Sequence, residues 1–169
     1  SDKIGVIKNL LPKVSALLIG GGMAYTFLKA TGIEVGKSLV EQDKLGLAAD
    51  LMKDAAARSV ELILPVDHVT GNAEKKNPNT CEHQIPPDRM GLDIGPKTAQ
   101  RFVDKIKPAK LVLWNGPVGL FEVPPYDQGS RVLANALAEN FPRIVSIIAG
   151  GDTVAAVAAA GVAEKISHL

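Results

Sequence analysis

Residues 150–154 (GGDTV) contain side chains that could bind a phosphate. Asp152 and Thr153 follow two glycines directly after an apolar run. A carboxylate and a hydroxyl beside a glycine-rich turn can hold Mg²⁺ against phosphate oxygens. Aspartate is also among the preferred N-cap residues of a helix. The residues alone therefore leave a magnesium ligand and a helix cap open for Asp152, and the two roles are compatible.

A second stretch, residues 31–38 (TGIEVGKS), ends like the phosphate-binding P-loop. That motif requires a glycine where this chain has Thr31, and Gly32 lies one residue too close to Gly36. A P-loop also follows a buried strand, whereas residues 23–30 (MAYTFLKA) have a helical pattern. We therefore interpret Gly32 as the left-handed C-terminal cap of that helix and expect any phosphate to bind elsewhere.

The composition excludes several classes of protein. The chain has 169 residues, of which 46% are hydrophobic and 22% charged, with a net charge of +1, which fits one globular domain. The arginines are scattered, so we expect no nucleic-acid partner. No apolar run is long enough to cross a bilayer and no signal peptide is evident, so we expect a cytoplasmic protein without a membrane partner. Cys81 is the only cysteine, which excludes an internal disulfide.

Four apolar runs alternate with amphipathic segments, which predicts parallel strands and helices in an α/β, doubly wound (Rossmann-like) and mostly parallel sheet. The sheet should have helices on both faces and form one domain. The predicted strands are 16–19, 60–64, 110–114 and 144–148. The predicted helices are 3–11, 22–30, 43–58 with Asp43 as N-cap, 97–106, 127–139 and 153–160.

The segment 71–89 is polar and aperiodic, which predicts a surface excursion. The chain opens on a helix without a preceding strand, and residues 166–169 (ISHL) are typical of the start of another strand. We therefore expect a domain spanning 1–169 that is truncated at both ends.

In open α/β sheets, ligands bind outside the carboxyl ends of the strands. The segments after the four predicted strands are 20–25, 65–71, 115–122 and 149–153, and three of them are rich in glycine. Glycine there allows close approach of a ligand to the backbone, and the N-terminus of a following helix attracts anions. The pattern favours a ligand that carries phosphate.

Two further charged residues have open alternatives. Lys3 lies in the first helical turn, where a cation opposes the helix dipole, so it is either functional or a solvated surface lysine. Glu122 precedes Val-Pro-Pro and could accept hydrogen bonds from ribose hydroxyls or simply be exposed.

Other kinds of site lack their signatures. Cys81 and the histidines have no zinc-like spacing. Neither G-x-S-x-G nor G-x-G-x-x-G occurs, which argues against a serine hydrolase and a dinucleotide-binding oxidoreductase. The residues considered as zinc ligands are Cys81, His68, His83 and His168.

Six stretches in order resemble phosphoglycerate kinase, and specifically its C-terminal, nucleotide-binding domain. They are 2–7 (DKIGVI), 19–30 (IGGGMAYTFLKA), 64–69 (LPVDHV), 90–98 (MGLDIGPKT), 113–122 (LWNGPVGLFE) and 147–153 (IIAGGDT). The resemblance implies a glycolytic phosphotransferase with a carboxyl group as acceptor. Enzymes of this family reversibly transfer a phosphoryl group from 1,3-bisphosphoglycerate to ADP, giving ATP and 3-phosphoglycerate, with Mg²⁺.

The resemblance also implies the site residues. Adenine would lie between one wall of Gly21, Gly22 and Leu39 and another of Gly91, Leu92, Pro117 and Leu120. Glu122 would bind the ribose, and Asn115 would stand near the phosphates. Asp152 would hold Mg²⁺, Lys3 would neutralise phosphate charge, and Gly150, Gly151 and Thr153 would contact the transferring phosphoryl group.

The resemblance does not extend to the N-terminal lobe, which binds phosphoglycerate in this family. We therefore expect the chain to be a fragment of a monomeric parent enzyme. The fragment should bind Mg-ADP or Mg-ATP without turnover, and its missing partner should be the N-terminal lobe. A noncatalytic nucleotide-binding module is the alternative.

Overall fold

The computed structural model describes residues 3–169, in which helices and strands alternate except from Glu61 to Ile94, where four strands follow one another. The helices are α1 (Lys3–Leu10), α2 (Gly22–Ala30), α3 (Leu45–Ala57), α4 (Pro96–Ile106), α5 (Gln128–Glu139) and α6 (Gly151–Ala159). The strands are β1 (Ala16–Leu18), β2 (Glu61–Ile63), β3 (Asp67–Gly71), β4 (Asn79–Glu82), β5 (Met90–Ile94), β6 (Leu111–Asn115) and β7 (Val145–Ala149).

The glycine-rich loops predicted from the sequence follow strands that belong to two parallel pairs. β1 pairs with β2, and β6 pairs with β7 in a register that places Asn115 beside Ala149. His168 continues the second pair through a parallel bridge to Ile147, with its N–H donating to the Ser146 carbonyl at 2.9 Å. The strand-like pattern at the end of the chain thus corresponds to a bridge, and the α/β fold class is confirmed.

The segment 71–89 is more regular than predicted. It contains β4, which joins β3 and β5 in a three-stranded antiparallel sheet of order β4-β3-β5. Three of the four β4 residues are exposed, so the strand carries no apolar alternation in its sequence. Arg89 holds this region together by donating to the Thr70 carbonyl at 2.9 Å and to the Asn79 side chain at 3.2 Å. Most of these residues are exposed, as expected of a surface excursion, but the segment includes a regular strand.

Apolar packing fixes the helices on the strand pairs. One cluster joins α4 and α5 to β6 and β7 through Phe102, Leu137, Trp114 and Ile148. A second cluster packs α1, α2 and α3 around β1 and β2. Burial of such side chains stabilises a fold by about 1.5–3 kcal/mol each. The two clusters fix the strand ends, and hence the loops, relative to their helices.

The helix boundaries mostly follow the sequence pattern. α2 spans the predicted residues, and Gly32 follows it with φ 93° and an N–H bond to the Lys29 carbonyl at 3.0 Å, which confirms the expected cap. Asp43 is not the N-cap of α3, because it lies in a 3₁₀ turn (Gln42–Lys44) and the helix begins at Leu45. Within residues 3–169, no helix has the length and apolar character needed to cross a membrane.

Candidate functional site at the strand ends

The loops after β1 and β6 meet at the carboxyl ends of their strands. The Gly21 N–H donates to the Val118 carbonyl at 3.2 Å. A Cβ atom placed on Gly20 would lie 2.7 Å from the Val118 side chain, closer than carbon atoms can approach. Glycine at this position is therefore what allows the two loops to touch.

The loop after β6 also contacts the start of α6. The Gly116 N–H donates to the Thr153 hydroxyl at 2.7 Å, and Gly116 has a positive φ of 105°. Gly150 has φ 91°, and a Cβ there would lie 3.1 Å from the Asn115 amide oxygen. The structure thus brings together Asn115, Gly150 and Thr153, three of the residues predicted for the site.

Lys3 reaches the same loop from the first turn of α1. Its Nζ atom lies 3.5 Å from the position that a Cβ on Gly116 would take. The Lys3 side chain is exposed. A positive charge thus lies next to the backbone turn that contacts Thr153.

The N-terminus of α6 is open to solvent. Gly150 is the N-cap residue, Gly151 and Asp152 are exposed, and space around a Cβ on Gly151 is empty within 4 Å. The first N–H groups of a helix have no partner within the helix and carry a partial positive charge. This turn can therefore accept an anion.

Asp152 lies in the first turn of α6, and its side chain makes no capping hydrogen bond there. Of the two alternatives, the helix cap is wrong, because the N-cap position belongs to Gly150. Within residues 3–169, no group of three or more His, Cys, Asp or Glu side chains is arranged to hold a metal ion. Asp152 would therefore be a lone protein carboxylate, which suits a magnesium ion whose other ligands are phosphate oxygens and water.

β5 and its neighbours form the apolar side of the site. The Leu120 N–H donates to the Leu92 carbonyl at 2.8 Å, which ties the loop after β6 to β5. The Gly91 N–H donates to the buried Ser38 hydroxyl at 2.8 Å. The adjacent Leu39 side chain is 72% exposed, an unusual exposure for leucine. Hydrogen bonds thus link the segments that carry Leu39, Gly91, Leu92 and Leu120, four residues of the predicted adenine site.

The Gly-Lys-Ser of residues 36–38 packs against the approach to β5. The Lys37 N–H donates to the Arg89 carbonyl at 2.7 Å, and Ser38 holds Gly91. A phosphate-binding loop needs these N–H groups turned towards its ligand. The interpretation that this stretch is not a P-loop agrees with the geometry.

The remaining predicted residues are placed less tightly. The Pro117 carbonyl oxygen contacts Gly21 and lies 2.7 Å from the position that a Cβ atom on this glycine would take. Gly22 is exposed at the start of α2, with empty space around it. Glu122 follows Leu120 in a turn closed by the Val123 N–H bond to the Leu120 carbonyl at 3.1 Å, with its side chain exposed. Two surface depressions, of about 280 and 420 Å³, lie beside α5 and beside Pro86, away from the predicted residues.

Four residues of this region were not predicted from the sequence. Gly116 and Ser38 make the contacts described above, and the Tyr25 ring packs directly against Gly91. Asp93 lies fully buried on β5 beneath the loop after β6. Asp93 could have been identified from the sequence, because a carboxylate inside the apolar run of residues 90–94 (MGLDI) must have buried partners.

The fold and the site define an α/β domain with a candidate anion site where glycine-rich turns, a lysine and a helix N-terminus converge at the carboxyl ends of its strands. The family model of phosphoglycerate kinase matches residues 1–169, and the chain belongs to this family.

Two curated relatives and one solved structure illustrate the similarity. The chain is 53% identical over 175 residues to the phosphoglycerate kinase of Koribacter versatilis and 51% identical over 172 residues to that of Clostridium novyi, covering 100% of this chain and 43% of each relative. The structure of phosphoglycerate kinase from Coxiella burnetii superposes with a TM-score of 0.93 at 37% identity, covering 98% of this chain and 43% of that one. The chain thus spans less than half the length of these relatives.

Proposed function

We propose that the chain is the nucleotide-binding domain of a phosphoglycerate kinase, and that it binds Mg-ADP and Mg-ATP at the strand-end site. The observation that carries this proposal is the convergence of Lys3, Gly116 and the first turn of α6 on one point. The family adds the reaction, in which the whole enzyme moves a phosphoryl group from 1,3-bisphosphoglycerate to ADP in glycolysis.

The apolar side of the site would hold the adenine base. Gly21, Gly22 and Leu39 would line one wall, and Gly91, Leu92, Pro117 and Leu120 the other. The exposed Leu39 gains most from covering by a flat base, since burial of apolar surface contributes about 25 cal/mol per Å². Glu122 would accept hydrogen bonds from the ribose hydroxyls.

The polar side would hold the phosphates. Lys3 would offset their charge, and Asn115 would orient them beside the turn at Gly150. The N–H groups of Gly150 and Gly151 would donate to the transferring phosphoryl group. The Thr153 hydroxyl, which accepts from Gly116, still has its own proton to donate to the same group. These residues act by positioning and by stabilising charge, without forming a covalent intermediate.

The residues present fit a magnesium ion. Asp152 offers an exposed carboxylate without a capping bond, beside a helix N-terminus that would receive phosphate. When bound, Mg²⁺ would neutralise charge on the phosphate oxygens. The protein's own part is to hold one carboxylate at that position.

Further parts of the proposal concern the whole enzyme. The segment of the longer relatives that has no counterpart in this chain would include the lobe for phosphoglycerate, and the parent would be a monomeric cytoplasmic enzyme. The isolated chain would bind nucleotide without turnover.

Isothermal titration of the purified chain with Mg-ADP and, separately, with NAD tests the proposal. We expect ADP to bind more tightly than NAD, because the loops suit one nucleotide and lack the dinucleotide pattern. Lys3→Met should weaken ADP binding, whereas Lys8→Met, which removes an exposed lysine elsewhere on α1, should not. Equal or tighter binding of NAD would contradict the proposal.

A further inference from the structure

Asn115 is the only asparagine of the chain that precedes a glycine. An Asn-Gly pair is prone to deamidation, because glycine has no side chain to hinder attack of its backbone nitrogen on the asparagine side chain. Asn115 is exposed, and its side-chain amide makes no hydrogen bond within residues 3–169. The side chain is thus free to react, and any restraint on the reaction must come from the backbone.

The reaction needs only water as a second reactant. The Gly116 backbone nitrogen loses its proton and forms a bond to the side-chain carbonyl carbon of Asn115. The bond from that carbon to the amide nitrogen breaks, and this nitrogen leaves with the proton as ammonia. Water then opens the resulting succinimide ring at one of its two carbonyl carbons, which gives aspartate or isoaspartate. Ring closure therefore requires a Gly116 nitrogen that can give up its proton and turn towards the asparagine side chain.

Two features of the fold withhold the Gly116 nitrogen. Asn115 is the last residue of β6 and lies opposite Ala149 of β7. In extended backbone the following nitrogen is turned away from a residue's own Cβ atom, whereas ring closure brings the two together. The Gly116 N–H also donates to the Thr153 hydroxyl at 2.7 Å, and Thr153 is buried. Both restraints must be released before the ring can close.

A carboxylate at position 115 would lie at the phosphate end of the proposed nucleotide site. The Asn115 amide oxygen is 3.1 Å from the position that a Cβ atom on Gly150 would take, and Gly150 is the N-cap residue of α6. The first N–H groups of that helix attract an anion. The Lys3 ammonium group, beside Gly116, adds a positive charge. An aspartate here would occupy the anion site from within the chain and repel phosphate.

We propose that Asn115–Gly116 is a deamidation site that the Thr153 hydroxyl protects, and that conversion of Asn115 to aspartate or isoaspartate places an anion at the N-terminus of α6 and blocks phosphate there. Opening of a strand end costs less free energy than global unfolding. The bond from Gly116 to Thr153 therefore controls the rate in the folded chain. The block of phosphate rests on the proposed function, but the protection of Asn115 does not.

Peptide mapping by mass spectrometry measures deamidation at position 115 during incubation at mildly alkaline pH. In denaturing urea we expect Asn115 to react faster than the other asparagines of the chain, and in the folded chain to react more slowly than in urea. Isoaspartate among the products identifies the cyclic route, because direct hydrolysis of the amide gives aspartate alone. A rate in the folded chain equal to the rate in urea would overturn the protection, and this comparison needs no variant that must fold.

Thr153→Val removes the acceptor of the Gly116 N–H. Loss of one hydrogen bond of ordinary strength should make Asn115 react about two- to tenfold faster in the folded chain. Thr153→Ser keeps the hydroxyl and should react like the unmodified chain.

The matched control is Thr26→Val, on α2. The buried Thr26 hydroxyl also accepts a backbone N–H, that of Glu41, at 3.0 Å. Its loss should destabilise the fold without accelerating deamidation at position 115. An unchanged rate in Thr153→Val, or an equal acceleration in Thr26→Val, would contradict protection by the Thr153 hydroxyl.

Titration with Mg-ADP tests the block of phosphate. Asn115→Asp and Asn115→Ser both remove the amide, but only the aspartate adds a charge. We expect Asn115→Asp to bind Mg-ADP at least about fivefold more weakly than Asn115→Ser, which is the effect in water of two like unit charges about 4 Å apart. Asn135→Asp adds the same charge at an exposed position of α5 and should bind like the unmodified chain.

The two sets of measurements separate this inference from the proposed function. Faster deamidation in Thr153→Val, without ADP binding by any form of the chain, would support the protection of Asn115 and refute the proposed function together with the block of phosphate. Equal ADP affinity of Asn115→Asp and Asn115→Ser would overturn the block alone.

Discussion

The Thr153 hydroxyl accepts a hydrogen bond from the Gly116 N–H at 2.7 Å, which joins two residues that are 37 positions apart in the chain. Thr153 is 1% exposed, so this bond is shielded from water. It fixes the first turn of α6 against the loop after β6, and Lys3 reaches that same loop. The proposed phosphate contacts therefore share one rigid frame.

Removal of the Thr153 hydroxyl should loosen that frame. Thr153→Val keeps the shape but leaves the Gly116 N–H without an acceptor, which we expect to lower the free energy of unfolding by about 1–3 kcal/mol. Urea denaturation measures the change. Thr153→Ser retains the hydroxyl and should lose less, and equal stability of the Val variant and the unmodified chain would contradict the role of this bond.

Asp152→Asn should separate metal binding from stability. Because Asp152 makes no capping bond, we expect a loss of less than about 1 kcal/mol, from the weaker interaction with the helix dipole. The enhancement of ADP affinity by Mg²⁺ should decrease, since the amide lacks the charge. Titrations with ADP in the presence and absence of Mg²⁺ test this. Asp50→Asn, at an exposed position of α3, is the control, and an unchanged Mg²⁺ effect in Asp152→Asn would exclude this ligand.

Gly91→Ala should destabilise the apolar wall. A methyl group there would occupy the position of the buried Tyr25 ring, and such overpacking costs about 1–3 kcal/mol. Thermal unfolding should show a lower midpoint. Gly46→Ala is a control of the opposite sign, because α3 offers empty space around Gly46 and alanine favours helix by up to about 1 kcal/mol. An unaltered midpoint for Gly91→Ala would contradict the close packing.

The helices and strands were predicted from local patterns in the sequence. Apolar runs such as 144–148 identify strands that lie against helices, and residues 22–30 are helical as expected. The four predicted strands did not include β3, β4 or β5. β4 was missed because its side chains face solvent and only its pairing with β3 makes it a strand. Pairing between distant segments leaves no period in either of them.

In the site, too, some features were predicted from the local sequence, whereas others depend on contacts between distant segments. The glycine-rich turns after the strands were found from their composition, and the family resemblance supplied their roles. Asp152 was placed at a helix start, but the choice between cap and first turn depends on backbone angles at Gly150 that the residue type does not determine. The Gly116–Thr153 and Asp93–Gly129 contacts join segments that only the fold brings together.

His68 should make the chain sensitive to acid. It is 1% exposed, its ring Nδ1 has no hydrogen-bond partner within residues 3–169, and the Tyr25 ring lies 5.9 Å away. Burial lowers the pKa of His68, so the folded chain binds fewer protons than the unfolded chain. This contribution to stability is present above the unfolded pKa, about 6.5, and is lost as the pH falls below it.

The measurement is the free energy of unfolding between pH 5 and 8. His68→Gln cannot take up a proton in this range, so its loss of stability on acidification should be smaller than that of the unmodified chain. His83→Gln, at an exposed position, should behave like the unmodified chain. Parallel pH profiles for His68→Gln and the unmodified chain would show that His68 is not responsible.

The last prediction is that the chain alone transfers no measurable phosphoryl group to or from phosphoglycerate, even with saturating Mg-nucleotide. The chain spans 43% of its curated relatives, and the proposed site accommodates only the nucleotide. Transfer requires both substrates in line within a water-poor cleft, and such positioning supplies about 7–11 kcal/mol where it is complete. Without a second binding surface, most of that contribution is absent, whatever the affinity for ADP.

A coupled assay of ATP formation from 1,3-bisphosphoglycerate measures this activity. The Lys3→Met variant, purified in parallel, identifies contaminating full-length enzyme, because any trace activity from a contaminant would be the same in both preparations. Turnover by the unmodified chain near the range of ordinary kinases, about 1–100 per second, and its loss in Lys3→Met would show that these 169 residues contain a complete catalytic unit. The phosphoglycerate site would then have to lie among the residues described, and the assignment of that site to the remainder of the longer relatives would be wrong.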